Sequence, residues 1–429
     1  MNDIIQRFND LRLSLRKDEV WRGVDFSDML DDEMTIPSQE QKPRSEYQCN
    51  IPNLDAMRLT LVNGICMKDD LQVDYDGVTY GSLRAAMRQC PDLVEEYMQK
   101  CMLGKNPYEQ FNAESEADGV FIYIPDGLSY TPEFQIMSMA DCGKPVFFQT
   151  RNLIVVGIRS SLKLIHCDDS YNMCRSMSNT VTGIYCGLES RVEHYKLQNM
   201  NDLSGLLNHN YVACDEGAEF RSFAISLNGG HIRNHNEVRM LGERCHTEVD
   251  GLYLIDKEQK LDNYVFVEHA KPNCESHELF KGIMDDSAHA TFNGHVLVGE
   301  GAVKTEASQS NKNILLTDKA TIQSKPFLEI YNDDVKCSHG STTGQIDEQA
   351  LFYIRSRGIS ERTARTMLLY AFCDEVIRKI GLTQLRDRLS DMVKKRLHGE
   401  LTPCADCALH CSTPCNGPEV DFKIDVEKL

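Results

Sequence analysis

From about Gly119 to Gly344 the chain is a succession of short β-prone runs with no amphipathic helical stretch between them, and this narrows the available folds more than any other feature. Val120–Ile124, Val146–Gln149, Leu153–Val156, Leu162–Ile165, Phe220–Leu227 and Val249–Leu254 are followed by Tyr264–Glu268, Ala290–Phe292, His295–Val298, Asn313–Leu316 and Phe327–Ile330, all punctuated by Gly, Asn, Asp or Pro. Spacings of roughly 10–25 residues with polar connectors do not suit strand–helix–strand units. They suit the coils of a parallel β-helix, each of which needs its neighbours to bury a core. A β-sandwich would use the same strands. What favours the solenoid is the scarcity of two-residue hairpin turns between runs, Asn293-Gly294 being the clearest such signal.

Helical patterns flank this region. Ile4, Ile5, Phe8, Leu11 and Leu15 fall near helix spacing, and Tyr80–Cys101 repeats the pattern with Leu83, Met87, Leu93 and Met98; Pro37, Pro43 and Pro52 interrupt the stretch between. Trp21, the single tryptophan, is expected to anchor packing. Beyond Gly344, Asp347–Arg357 reads as a short helix stopped by Gly358. Ser360 reads as the N-cap of a helix over Glu361–Ile380 ended by Gly381, and Thr383 as the cap of another. Met367, Leu368, Ala371, Phe372, Ile377, Leu385, Leu389, Met392, Val393 and Leu397 give these helices an apolar stripe among Arg and Lys, suited to docking a partner or to packing on the solenoid. The resulting expectation is a mainly β protein with flanking α. It has a helical N-terminal domain (1–115), a parallel β-helix core (116–345), a C-terminal helical partner-docking region (346–400) and a cysteine-rich tail (401–429).

With a net charge of −19, the chain lacks the clustered Lys and Arg that non-specific nucleic-acid binding requires, so proteins are the expected partners. Its first residues are polar and amphipathic without an export signal, and its apolar runs are too short to span a membrane as helices. The 17 cysteines form an odd, scattered set that fits reduced thiols and a cytoplasmic location. Cys49, Cys66, Cys90, Cys101, Cys142 and Cys373 sit among apolar neighbours and read as small buried hydrophobes.

One segment stands apart. Tyr331-Asn-Asp-Asp-Val-Lys-Cys-Ser-His-Gly-Ser-Thr-Thr-Gly344 places the thiol of Cys337 two residues from the imidazole of His339. On a strand both side chains share one face, about 7 Å apart along the backbone. Thiolate and imidazole are ligands for iron, zinc or an iron–sulfur cluster, but such sites take about four ligands, so this is half a site whose remainder comes from elsewhere.

Ser324 to Gly344, followed by Asp347 to Ile359, closely resembles the SufB/SufD family. Gly251–Leu254, Asp262-Asn263, Val267–His269, Ser276, Phe280–Gly282 and Phe292–Gly294 extend the resemblance over most of 210–380, whereas the N-terminal third shares only a loose match at Asp18–Trp21. The resemblance implies a right-handed parallel β-helix between helical ends and a non-enzymatic scaffold role in iron–sulfur cluster assembly. It also implies pairing with a SufB paralogue as a heterodimer, a homodimer remaining open, and C-terminal helices that receive the SufC ATPase. Cys337 and His339 occupy motif positions at that subunit interface, where a transient cluster or iron would be handled. Lys260 and Asn273 stand where the family carries histidines. His269, His289 and His295 are expected at the surface or core edge and receive no role.

The tail Thr402-Pro-Cys-Ala-Asp-Cys-Ala-Leu-His-Cys-Ser-Thr-Pro-Cys415 lies outside the family core. Cys404, Cys407, Cys411 and Cys415, with His410 as a substitute, could close around zinc or an iron–sulfur cluster, or stay metal-free. The chain carries no G-x-x-x-x-G-K-[ST] phosphate loop, since His339–Gln345 lacks the lysine, so it is not itself an ATPase of that class. Two other readings compete. A β-helix enzyme acting on acidic polysaccharide would need paired carboxylates, but Asp333 and Asp334 would face opposite ways on a strand. A thiol or metal carrier would act through the tail alone.

Overall fold

The computed structural model describes residues 3–37, 51, 54–102, 104, 106–115, 117–130 and 132–398. The chain winds into a parallel β-solenoid of about eight turns, each coil giving one strand to each of two ten-stranded sheets. The first sheet ends with Glu219–Asn228, His246–Ile255, Glu275–Met284, Thr305–Leu315 and Val335–Gly344. The second ends with Lys260–His269, His289–Val298 and Thr321–Ile330. Equivalent residues stack with a period of about 30 residues: Ser161, Arg191, Glu219, His246, Glu275, Glu306 and Lys336 form one such row.

The corner leading from the second sheet into the first is built alike in seven successive coils. Gly127, Arg159, Glu189, Gly217, Arg244, Asn273 and Lys304 all take the left-handed conformation there. Each donates its backbone N–H to a carbonyl of the next coil, as in Gly127 to Ile158, Arg159 to Leu188 and Lys304 to Asp334. A left-handed non-glycine residue costs about 1–2 kcal/mol. The lateral bond satisfies the N–H of that residue and offsets part of the cost.

Period-2 alternation sends one set of side chains inward and the other outward. The inward set forms one continuous apolar core that includes Ile136, Leu164, Val192, Phe220, Val265, Phe280 and Phe292. Polar residues interrupt it: Lys196 Nζ meets Asp168 Oδ2 at 2.7 Å, both buried. Asn293-Gly294, read as a hairpin signal, lies within strand His289–Val298. A Cβ on Gly294 would sit 2.1 Å from Gln309 Nε2, so the glycine serves close packing across the coil rather than a turn.

The two outer faces are covered differently. Helices Glu361–Ile377 and Thr383–His398 lay Cys373, Val376, Ile377, Leu385, Leu389, Met392 and Val393 on Tyr195, Phe223, Leu252 and Ile283 of the first sheet. Lys379, between these helices, reaches Glu248 at 2.5 Å and Asp250 at 2.6 Å. Ser360 caps the first helix through Thr363 N, while Asp347 caps Glu348–Ser356 and Gly358 follows it at φ +88°. Helix Glu361–Ile377 stops at Arg378, short of Ile380.

On the second sheet, helix Asp3–Ser14 packs Ile5 and Phe8 with Tyr108, Phe147, Met177 and Leu207. Trp21 joins them as an anchor, stacked on His235 at 5.0 Å with the Arg233 guanidinium 4.3 Å from its ring. The sheets reach back further than a helical segment through residue 115 would allow, because Ala56–Val62 pairs parallel with Glu133–Ala140 and Thr79–Ser82 antiparallel with Val120–Ile124. Against the expectation of reduced thiols throughout, Cys142 and Cys174 pair as a disulfide, their Cα atoms 6.0 Å apart on neighbouring coils. Among the described residues, no helix is long and apolar enough to cross a membrane.

Candidate functional site at the open end of the solenoid

Val335–Gly344 is the last strand of the first sheet and pairs on one side only, with Thr305–Leu315. Its register sets Val335 beside Thr305, Cys337 beside Ala307 and His339 beside Gln309. Those three partners are buried and face the interior. Val335, Cys337 and His339 therefore face inward as well, and Ser341, next in the series, reaches across the coil to Ser324 of the other sheet at 2.8 Å. Two donors share one face as the spacing requires. Among the described residues no further coil covers them: Cys337 is half-buried and His339 exposed.

Cys337 packs beside Val335 and Leu328 over Val296, Val298, Ala302 and Ala307. Burial pushes its thiol above the ordinary range, partly opposed by a backbone hydrogen bond with Ala307. The sulfur is thus a protonated thiol at neutral pH, and metal binding there has to release that proton. His339 forms no hydrogen bond or ion pair among the described residues, so its ring nitrogens are free for a ligand.

Below His339 runs an inward column that the sequence reading did not single out, Gln309 and then Glu278. Gln309 Nε2 donates to Glu278 Oε2 at 2.8 Å. Burial pushes the Glu278 carboxyl up to about 8, against the effect of that hydrogen bond. Its other oxygen, Oε1, has no hydrogen-bond partner among the described residues. Strand alternation places Glu278 and Gln309 inward on their own strands, but only the register between coils stacks them under His339.

Around the open coil, Phe327, Ile330 and Tyr331 are large apolar or aromatic side chains left exposed, and Phe352 and Tyr353 continue this character on helix Glu348–Ser356. Asp333 and Asp334 lie in the turn before the terminal strand rather than on it. Of the three unassigned histidines, His269 is core, wholly buried with Nε2 2.8 Å from Ser276 Oγ, because its strand places it beneath two neighbouring coils; His289 and His295 are part-exposed.

The apolar stripe on the C-terminal helices divides. Ile377, Leu385, Leu389, Met392 and Val393 are spent on the sheet. Met367 and Ala371, with Leu368 and Ile377 serving both surfaces, line a groove of 560 Å³ between the helices, with Arg378, Arg386, Lys394, Asp374 and Asp387 at its edges. Cys404, Cys407, Cys411 and Cys415 lie outside the described residues.

Comparison with known proteins adds to this geometry. The family described as SUF system FeS cluster assembly, SufBD core domain, matches residues 138–372, and the SufBD protein N-terminal region matches residues 2–136. The chain is 34% identical over 230 residues to the iron–sulfur cluster assembly protein SufD of Escherichia coli, a match spanning 54% of each chain. It is 27% identical over 403 residues to an iron–sulfur cluster assembly SufBD family protein of Synechocystis, covering 90% of this chain and 88% of the relative. A chloroplastic protein of Arabidopsis thaliana, ABCI7, is 27% identical over 398 residues, covering 88% of this chain and 82% of that one. With both regions of the family matched in order along a solenoid of this build, the chain belongs to the SufBD family of the SUF iron–sulfur cluster assembly system and is most like SufD.

Proposed function

We propose that this chain is the SufD-like, non-enzymatic subunit of a SufBCD-type scaffold, in which the open end of the solenoid docks on a SufB paralogue and helps assemble iron–sulfur clusters at the junction. The observation that carries this reading is the terminal coil, with Cys337 and His339 inward on a strand that has a neighbour on one side only among the described residues. An unpaired edge with exposed apolar side chains is a liability in an isolated protein and an asset where a partner strand covers it. A thiolate and an imidazole supply two of about four ligands that iron or a nascent cluster needs, and the partner subunit supplies the others. The metal here is cargo, held only while the two chains are joined.

The groove between Glu361–Ile377 and Thr383–His398 is the proposed seat of a SufC-like ATPase. Its apolar floor, edged by Arg378, Arg386 and Lys394 together with Asp374 and Asp387, suits a helix or loop whose apolar face is flanked by charges of both signs. Cys404, Cys407, Cys411 and Cys415 of the tail are proposed as a separate zinc or cluster site, read out as metal content lost on Cys404→Ser with Cys407→Ser.

The decisive test is co-expression with SufB-like and SufC-like subunits, anaerobic purification of the complex, and an iron and sulfide count. His339→Ala is expected to cut cluster yield several-fold while the subunits still co-purify, and Cys337→Ser tests the thiol separately. A full cluster yield from the doubly substituted complex removes both residues from the role.

A further inference from the structure

A second donor cluster lies on the outer face of the first sheet, away from the interior face that carries Cys337 and His339. His246 stands beside Glu275 in the ladder, and His277 follows Glu275 by two residues and shares its face. One ligand atom from each of the three lies within 4.8 Å of the others. His246 Nδ1 is 3.2 Å from Glu275 Oε2. A tetrahedral site with bonds of about 2.1 Å keeps its ligand atoms about 3.4 Å apart, so that edge is already formed and the others close by side-chain rotation of about an ångström.

Two surrounding features favour a cation over a simple ion pair. Ser308 Oγ sits 2.7 Å from His277 Nδ1, holding the ring and leaving Nε2 as the nitrogen for a ligand, as outer-shell partners of metal-bound histidines do. The neighbouring acids are otherwise engaged, Glu306 by Lys336 at 2.5 Å and Glu248 by Lys379 and Arg221. Among the described residues Glu275 has no lysine or arginine partner. The cluster also rests on strands paired on both sides, which fixes its backbone more firmly than a loop would.

We infer that His246, Glu275 and His277 bind a divalent transition metal of the zinc or iron(II) class, through two imidazole nitrogens and one carboxylate oxygen. Two nitrogens with one hard oxygen select such ions over magnesium or calcium, which prefer oxygen throughout. The half-buried rings and exposed carboxylate leave the remaining coordination positions to water or an exchanging ligand. The inference stands apart from the cluster-assembly reading, because it uses neither the terminal coil nor a partner subunit.

The test is a cobalt(II) titration of the tag-free, full-length chain in which Cys337, Cys404, Cys407, Cys411 and Cys415 are changed to Ser, followed by displacement with zinc. One equivalent should produce weak visible ligand-field bands without the intense near-ultraviolet sulfur-to-metal band, which marks thiolate binding. His246→Ala and His277→Ala should each weaken binding about 100-fold, and Ser308→Ala about 10-fold through the freed ring. Thermal midpoints check the fold of each variant, and Glu275→Gln, at an exposed position, serves if an alanine variant unfolds; it should weaken binding at least 10-fold, as about one lost charged ligand. Absence of the bands, or bands that survive both histidine changes or Glu275→Gln in a folded chain, overturns the assignment.

Discussion

The two ends of the solenoid are made from the same repeat and finished in opposite ways. At the N-terminal end the parallel ladder is stopped by strands that run the other way: Thr79–Ser82 pairs antiparallel with Val120–Ile124, and the outermost pieces, Ile65–Cys66 and Gln72–Val73, are two residues long. Short, reversed edge strands cannot template another chain. At the C-terminal end a full ten-residue strand, Val335–Gly344, has one side unpaired and its inward residues uncovered among the described residues. The docking proposed above falls at the second end. Stability should therefore be concentrated at the first end and function at the other.

The largest effect is expected at the closed end. Buried Asp118 holds it together: Oδ2 accepts from Cys66 N at 3.0 Å, and Oδ1 accepts from Ser82 Oγ at 2.8 Å and Arg84 N at 3.3 Å. Asp118→Ala strands three donors at once and should cost about 3–5 kcal/mol, read as a lower denaturant midpoint. A loss below about 1 kcal/mol would mean that the closed end is not where stability resides.

Between the ends, the inward column supplies a pH signature. Glu278 holds its proton up to about 8, against an ordinary value of 4.5. Between those values the native chain keeps a proton that the unfolded chain has released. Its contribution to stability is therefore present at low pH and is lost as pH rises through this window, by up to about 1.4 kcal/mol per pH unit. Glu278→Gln keeps an acceptor for Gln309 and removes the slope. Denaturation curves from pH 5 to 8 should show the variant gaining on the parent as pH rises, and parallel curves would contradict a protonated Glu278.

The repeat itself was readable because apolar strands such as Val120–Ile124 carry it openly. Strands such as Ser204–Cys214 and His231–Met240 did not announce themselves, since their inward positions hold Asn208, Asn210, Asn234 and Asn236, polar side chains bonded to one another across coils. Such ladders look like loop sequence until stacking satisfies them. The corners were equally opaque. Gly127 and Gly217 suit a left-handed turn, but Arg159, Glu189, Arg244 and Lys304 do the same work with no preference for it, held by lateral hydrogen bonds that exist only once coils stack. The Cys337–His339 pair was legible because alternation alone puts both on one face. Glu278 and Gln309 beneath it were not, because their alignment depends on register between segments about 30 residues apart. His246, Glu275 and His277 escaped for the same reason.

At the open end, substitutions should separate assembly from stability. The Phe327 ring lies 4.8 Å from His295 on the outside of the last coil and remains largely exposed. Phe327→Asp loses little native packing, about 1 kcal/mol or less, yet places a charge on the proposed docking rim. In co-purification with a SufB-like subunit the recovered complex should fall several-fold while the isolated chain unfolds near the parental midpoint. If pairing is untouched, the partner surface lies elsewhere on the molecule.

The smallest change in stability belongs to His339→Ala, and that is its value as a test. The ring is exposed and bonded to nothing among the described residues, so removing it should shift stability by no more than about 0.5 kcal/mol. Asp118 and His339 then form an opposed pair, one variant crippling the fold and the other leaving it intact while reducing cluster yield in the complex. A residue so weakly tied to its own chain, yet held on an ordered strand beside a half-buried thiol, is oriented by the fold without being used by it. If His339→Ala proved strongly destabilising instead, the imidazole would be a structural part of the last coil, and the contrast between a closed, stabilising end and an open, functional one would fail at its most exposed point.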